Sequence, residues 1–222
     1  MTDFASLNGV TITRLHLVVP ALGLWHADVT LSQAPSVTGP QTLLLSGSSW
    51  SCTPIRVTSF AGTTVARLVG GAAGWRKSVP AQQYSSQLGV PTSTIVSDVA
   101  SLVGEVSPVL DPSVTPTVGT AYIRQAGAAS LVLNDLQSRG VLSWWVDPSG
   151  VVQTMPRPST AITSPFVAQS VNGAVGWYKI ATEVPGDWMP GAMFAGPTVS
   201  GTVSRVEFRI SRMQFFTEVL VP

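Results

Sequence analysis

Residues 24–33, LWHADVTLSQ, set Trp25, Ala27, Val29 and Leu31 against His26, Asp28, Thr30 and Ser32 in strict alternation. A helix would scatter the four apolar side chains around its circumference, whereas a strand places them all on one face. The segment can therefore bury one side only as a half-buried strand. Upstream, VTITRLHLVV (10–19) is rich in β-branched residues, and Pro20 and Gly23 punctuate the gap between the two runs. Further strands are expected at TLLLSG (42–47), around Ile55 to Val57, and at TTVARLVGG (63–71). Short strands at this spacing, separated by Gly and Pro turns, point to a small antiparallel barrel or sandwich.

After Tyr84 the periodicity changes. Ile95, Val96, Val99, Leu102 and Val103 recur at helical spacing, with Ser or Thr available as N-cap and Gly104 as the stop. A Pro/Ser/Thr-rich linker follows. Ala129, Val132, Leu133 and Leu136 then mark a second helix, with Arg139 in its last turn and Gly140 just past it. Directly behind, VLSWWVDPSGVVQ reads as two strands joined by Asp-Pro-Ser-Gly, with Asp147 as the turn opener. Residues 174–183 read as a strand, and VPGDWMPGAMFAG as an irregular loop anchored by Trp188 and two Met. A final hairpin is expected at GTVSRVEFRISRMQFFTEVLV. Within it Arg205, Glu207 and Arg209 share a face opposite Val206, Phe208 and Ile210, the pattern of a solvated or cross-strand-paired charge row. A β-region, an α/β middle and a second β-region is the order that two related barrels with an insertion would give.

Only 10% of the 222 residues are Asp, Glu, Lys or Arg, against roughly 25% in ordinary soluble domains. A chain so poor in charge is expected to hide much of its surface against partners. Its basic residues are chiefly Arg, which tolerates interface burial better than Lys; a G+C-rich genome would give the same bias. Net charge is +1, so no electrostatic footprint for nucleic acid or anionic lipid is present. The N-terminus lacks a basic region followed by an apolar core, and no apolar stretch reaches membrane-spanning length, so folding in a cytoplasm is expected.

Candidate chemistry is sparse. The run GGAAGWRKS (70–78) has Gly71 and Lys77-Ser78 where a phosphate-binding loop wants them, but Arg76 stands where the second Gly must leave room for phosphate. It is read as a turn. His26 and Asp28 have metal-ligand spacing without further ligands nearby, and are read as exposed polar residues of a strand. Gly47-Ser48-Ser49-Trp50-Ser51 lacks the closing Gly of a hydrolase elbow. Cys52 has no base near it in sequence and is read as buried or at an edge. Trp144 and Trp145 point to opposite faces of a strand, one into the core and the other towards a protein interface or a sugar. No catalytic, cofactor or metal residue is assigned.

Four segments then carry a resemblance: FAGTTVARLVGGAAGWRKSVPAQQY, GVPTSTIVSDVASLVGE, YIRQAGAASLVLNDLQSRGVLSWWVDPSGVVQTMPRP and VSRVEFRISRMQFFTEVLV. In order they resemble the baseplate hub proteins of contractile-tailed bacteriophages, related to the late control D family and to the hub part of type VI secretion spikes. The most telling positions are Arg124, Gly127, Leu131 to Leu136, Trp144, Trp145, Asp147 and Gly150. The resemblance implies a mainly β fold with an α+β insertion. Two small tube-like antiparallel β-barrels (residues 1–90 and 161–222) would flank a helix-helix-hairpin middle (91–160).

It also implies a non-enzymatic virion component of the tail baseplate, assembled in the host cytoplasm. The expected form is a homotrimeric hub joining a sixfold tail tube to a threefold central spike, with other baseplate proteins as further partners. The run GGAAGWRKS would then join two barrel strands at the ring edge, with Arg76 and Lys77 facing the lumen or a neighbour. Trp145, Trp188, Arg205 and Arg209 complete the expected interface set. Two other readings stand beside it: a hexameric distal tail or tube-initiator protein, and a carbohydrate-binding module of a tail using Trp144 or Trp145 and Trp188.

Overall fold

The computed structural model describes residues 4–221 apart from residues 34, 113, 197–198 and 212–213. Six strands come first: β1 (Ala5–Leu7), β2 (Val10–Pro20), β3 (His26–Leu31), β4 (Gln41–Leu45), β5 (Ser48–Phe60) and β6 (Thr63–Gly70). Their antiparallel pairings run β1-β4-β5-β6-β3-β2, and Leu7 opposite Val10 with Ser6 opposite Thr11 returns β2 to β1. These strands form a closed barrel. The alternation around Trp25 does what the sequence requires of it, since Trp25, Ala27, Val29 and Leu31 are all buried.

Trp25 fills the barrel end beside Trp50, the two rings meeting edge to face at 5.2 Å. Its neighbour must be glycine: a Cβ on Gly70 would lie 2.5 Å from the indole nitrogen. That is the first structural reason for the glycine-rich run. The second is Gly71, at φ 73°, where a Cβ would fall 2.5 Å from the Gly150 carbonyl. The glycines let one loop pack against another, with no bare amide cradle opened to solvent.

The run does not join two barrel strands. It passes through a 3-10 turn (Gly74–Arg76) into β7 (Ser78–Val79), which pairs with β10 (Gly127–Ala128) in the middle of the chain. This corrects the ring-edge expectation. The Gly74 amide donates to Glu105 and the Lys77 ammonium to the Val103 carbonyl, so the segment clamps the end of the first helix. Between them lie β8 (Gln82–Ser85), α1 (Thr92–Val103) and β9 (Ala121–Arg124), the last paired with β8.

Helix α1 ends as its sequence dictates, with Gly104 left-handed at φ 74°. Its start differs: Pro91 occupies the N-cap with no side-chain bond, and the Thr92 hydroxyl donates instead to the Thr115 carbonyl. Helix α2 (Ala129–Ser138) buries all four residues of its apolar stripe. Arg124, 1% exposed, ties β9 to α1 through Asp98 at 2.7 Å, and Tyr84 donates to the same carboxylate. A short hairpin of β11 (Trp145–Val146) and β12 (Val152–Gln153) closes the middle region, with Asp147 accepting from Ser149 and the Val151 amide.

The final strands are β13 (Phe166–Asn172), β14 (Trp177–Thr182), β15 (Met193–Ala195), β16 (Ser200–Thr202), β17 (Arg205–Ser211) and β18 (Gln214–Leu220). Both long strands of the expected terminal hairpin, β17 and β18, form. They do not found a separate sheet, because β17 pairs with β2 from Leu15 to Pro20 and extends the barrel's own sheet as β17-β18-β14-β13. Strand β2 therefore serves two units: Val10 and Thr11 close the barrel, a bulge at Thr13 bends the strand, and the remainder carries the second sheet. Among the described residues no pairing closes this second unit into a barrel. Its core is Val206, Phe208, Val219 and Ile180 with an aromatic cluster of Phe166, Trp188 and Phe194.

Candidate assembly edges and the polar sheet face

Removing β1 and β4 from the ten-strand order leaves eight strands in one unbroken antiparallel span, β5-β6-β3-β2-β17-β18-β14-β13. Its two ends are open. Strand β5 is thirteen residues long but β4 covers it only from Ser48 to Cys52, so among the described residues it pairs from Pro54 to Phe60 with β6 alone. Among the described residues strand β13 pairs with β14 alone. Each end presents a row of backbone donors and acceptors to solvent.

Both ends also expose apolar side chains. Phe60 is 83% exposed and Val57 40% at the first, Val167 65% and Val171 49% at the second. Edge strands are usually blunted by charge, proline or a bulge. Strand β13 (FVAQSVN) has no charged residue and no proline, and its one device is a bulge near Gln169.

One face of the span packs over the cores; the other carries a belt of charge. Across adjacent strands Arg56 faces Arg67, Arg67 faces Asp28, Asp28 faces His16 and His16 faces Arg209. Arg67 and Asp28 form a two-bond ion pair at 3.1 and 3.2 Å, so the His26/Asp28 spacing serves cross-strand pairing. Burial first, and then the Arg67 charge, lower the His26 pKa. The centre of the belt is Glu207. Its side chain is 4% exposed and accepts from His16 at 2.7 Å, Arg205 at 2.5 Å and Arg209 at 2.7 Å. Burial pushes its carboxyl up, but the bonds from Arg209 and His16 and the Arg205 charge outweigh it, and the net shift is downward. The network spans β2 and β17, the joint between barrel and second sheet.

The expected interface residues fall in different places. Arg76 and Lys77 are exposed on the 3-10 turn, Lys77 already engaged with α1. Arg205 and Arg209 are half-exposed and bound to Glu207. Trp188 is fully buried against Phe166 and Phe194, and no surface role is left for its ring. Trp145 is 9% exposed, covered by the Arg157 guanidinium at 4.1 Å and donating to the Met155 carbonyl, while Trp144 is 1% exposed. These burials correct the expectation of Trp145 and Trp188 as anchors and remove the stacking platforms of the sugar-binding reading. Arg157 also donates to the Ala21 and Pro20 carbonyls; burial pulls its pKa down to about 10. Cys52 is buried, its thiol pushed up to about 11 chiefly by burial, which leaves no thiolate near neutral pH. Among the described residues no cluster of three or more His, Cys, Asp or Glu could hold a metal, and no helix is long and apolar enough to cross a membrane.

The open edges were not foreseen. The signal was present in the length mismatch between TLLLS and the run from Ser48 to Phe60, and in the uncharged FVAQSVN.

No protein-family model and no curated protein sequence matches the chain. Solved structures do match its fold. The E. coli c3393 protein is a component of the type VI secretion system with structural similarity to the T4 tail proteins gp27 and gp5. It superposes with TM-score 0.72 at 12% identity, over 97% of this chain and 75% of that one. The 43 kDa tail protein of prophage MuSo2 from Shewanella oneidensis gives 0.65 at 10% identity, over 98% and 96%. A tail protein from Neisseria meningitidis MC58 gives 0.65 at 12% identity, over 98% and 95%. At such identities the likeness is one of fold, and the fold is that of phage tail proteins and of a secretion component similar to them.

Proposed function

We propose that this chain is a structural, non-enzymatic subunit of a phage tail. In this reading it forms the homotrimeric baseplate hub that joins the sixfold tail tube to the threefold central spike, in contact with other baseplate proteins. The observation that carries the proposal is the eight-strand span with both ends open. Because the number of strands is even and every pairing is antiparallel, β5 and β13 run in opposite directions. Copies set side by side therefore bring β13 of one against β5 of the next as an ordinary antiparallel pair, and cyclic repetition leaves no open end. Self-pairing of β13 across a twofold axis would fill one end of each chain and leave β5 bare.

The scarcity of charge and the exposed Phe60, Val57, Val167 and Val171 support the same reading, since ring formation covers them. The fold shared with tail proteins supports the setting. A tube-initiator hexamer uses the same two ends. Subunit counting by analytical ultracentrifugation separates the two: a threefold particle is expected, a sixfold one favours the initiator, and a monomer at high concentration overturns both. Imaging of the particle should show a ring with threefold symmetry.

A further inference from the structure

An asparagine followed by glycine is prone to lose its side-chain amide, because glycine is free to turn and has no Cβ to shield the backbone nitrogen that attacks. The chain has three asparagines, and two of them, Asn8 and Asn172, precede glycine. The fold treats these two oppositely. Asn8 lies in the tight β1–β2 turn, left-handed at φ 46° with Gly9 at φ 82°. Its Nδ2 donates to Gln41 Oε1 at 2.7 Å and its Oδ1 accepts from the Thr42 amide at 2.8 Å, so both side-chain atoms are tied to β4.

Asn172 is the last residue of β13 and is exposed where that strand turns into β14. Among the described residues its side chain has no hydrogen-bond partner, and the Gly173 amide has no acceptor. Its support is one-sided. Asn172 faces Trp177 of β14, the Val175 amide donates to its carbonyl at 3.2 Å, and among the described residues no strand pairs with β13 on its other side. A Cβ built on Gly173 would meet nothing within 4 Å, so the space around the attacking nitrogen is open.

We propose that Asn172 is a site of spontaneous deamidation, by which the chain places a negative charge at the end of its own open edge. The Gly173 nitrogen gives up its proton and bonds to Asn172 Cγ; the Cγ–Nδ2 bond breaks and ammonia leaves with that proton, closing a cyclic imide. Water then adds to one of the two imide carbonyls. Opening at Cγ leaves aspartate, whereas opening at the main-chain carbonyl leaves isoaspartate, with the chain running through the former side chain. Nothing is oxidised or reduced, and water is the sole co-reactant. Either product gives the uncharged strand FVAQSVN an anion, a common means of blunting an edge. Isoaspartate also lengthens the backbone by one carbon and breaks the rung with Trp177. On the edge-to-edge reading, on which this consequence alone rests, an aged chain joins its neighbours less readily than a fresh one.

The test incubates the full chain at mildly alkaline pH and maps its peptides by mass spectrometry, separating aspartate from isoaspartate. Asn172 is expected to convert about tenfold or more faster than Asn8, since two hydrogen bonds of ordinary net strength must break before Asn8 can turn. In concentrated urea the two should convert at similar rates. Gly173→Ala should slow conversion of Asn172 by about tenfold or more and leave melting unchanged, because the added Cβ meets no neighbour. Conversion of Asn172 no faster than that of Asn8 in the folded chain overturns the site. Sedimentation of fresh, aged and Asn172→Asp chains reads the consequence: several-fold weaker association of the last two supports blunting, and equal association overturns it while the site stands. A fresh chain that never self-associates overturns the ring reading and the blunting together, whereas the site is decided by the peptide map.

Discussion

The barrel and the sheet that grows from it are built from the same strand chemistry yet finish differently. In the barrel the return of β2 to β1 closes the circuit of strands, and its core is sealed by Trp25 and Trp50. The second sheet borrows its first partner from β2 and ends at β13, beyond which no further strand pairs among the described residues. A closed sheet stores its stability inside one chain, whereas an open one defers part of it to a neighbour. The stub of β5 beyond Cys52 is the barrel's one departure from closure, and it lies at the far end of the span from β13.

That contrast predicts a graded set of responses. The largest is Trp25→Ala, which empties the barrel end and should cost about 3–5 kcal/mol of stability, read from chemical denaturation; a loss under about 1 kcal/mol would mean that the ring does not hold the barrel closed. Next is the joint. Glu207→Gln removes the shared anion of His16, Arg205 and Arg209 and should cost about 2 kcal/mol at neutral pH.

The same carboxylate sets a pH dependence. Its pKa in the folded chain lies below the ordinary 4.5, so its stabilisation is full above that value and fades as pH falls through the lower folded value. Melting temperature measured from pH 6 to pH 3 should fall less steeply in Glu207→Gln than in the unaltered chain. The smallest effect on the monomer is expected at the edges. Val171→Lys on β13 should change monomer stability by no more than about 0.5 kcal/mol while abolishing self-association. Equal damage to both would erase the distinction between the two regions.

Much of the barrel and of the middle region was legible in the sequence because the constraints there are local. Alternation put Trp25, Ala27, Val29 and Leu31 inside, and the helical stripe from Ala129 to Leu136 is buried residue for residue. Gly104 and the Asp147 turn followed from backbone and side-chain preferences alone. The pairing of β2 with β17 links residues nearly two hundred positions apart, and no local pattern encodes it. For the same reason the second unit looked like an independent barrel. The tryptophans misled because aromatic size fits a core and an interface equally well, and only packing decides between them. Glu207 was read as one of a row of surface charges; its burial arises from neighbours on another strand, His16 above all.

Hydrogen exchange followed by mass spectrometry, on the assembled particle and on the dissociated chain, tests the filling of the two open ends most directly. The account predicts that amides within 54–60 and 166–172 exchange freely in the lone chain and become protected together on assembly, while those of β3 are protected in both. Assembly that leaves both stretches exchanging as fast as before would contradict it.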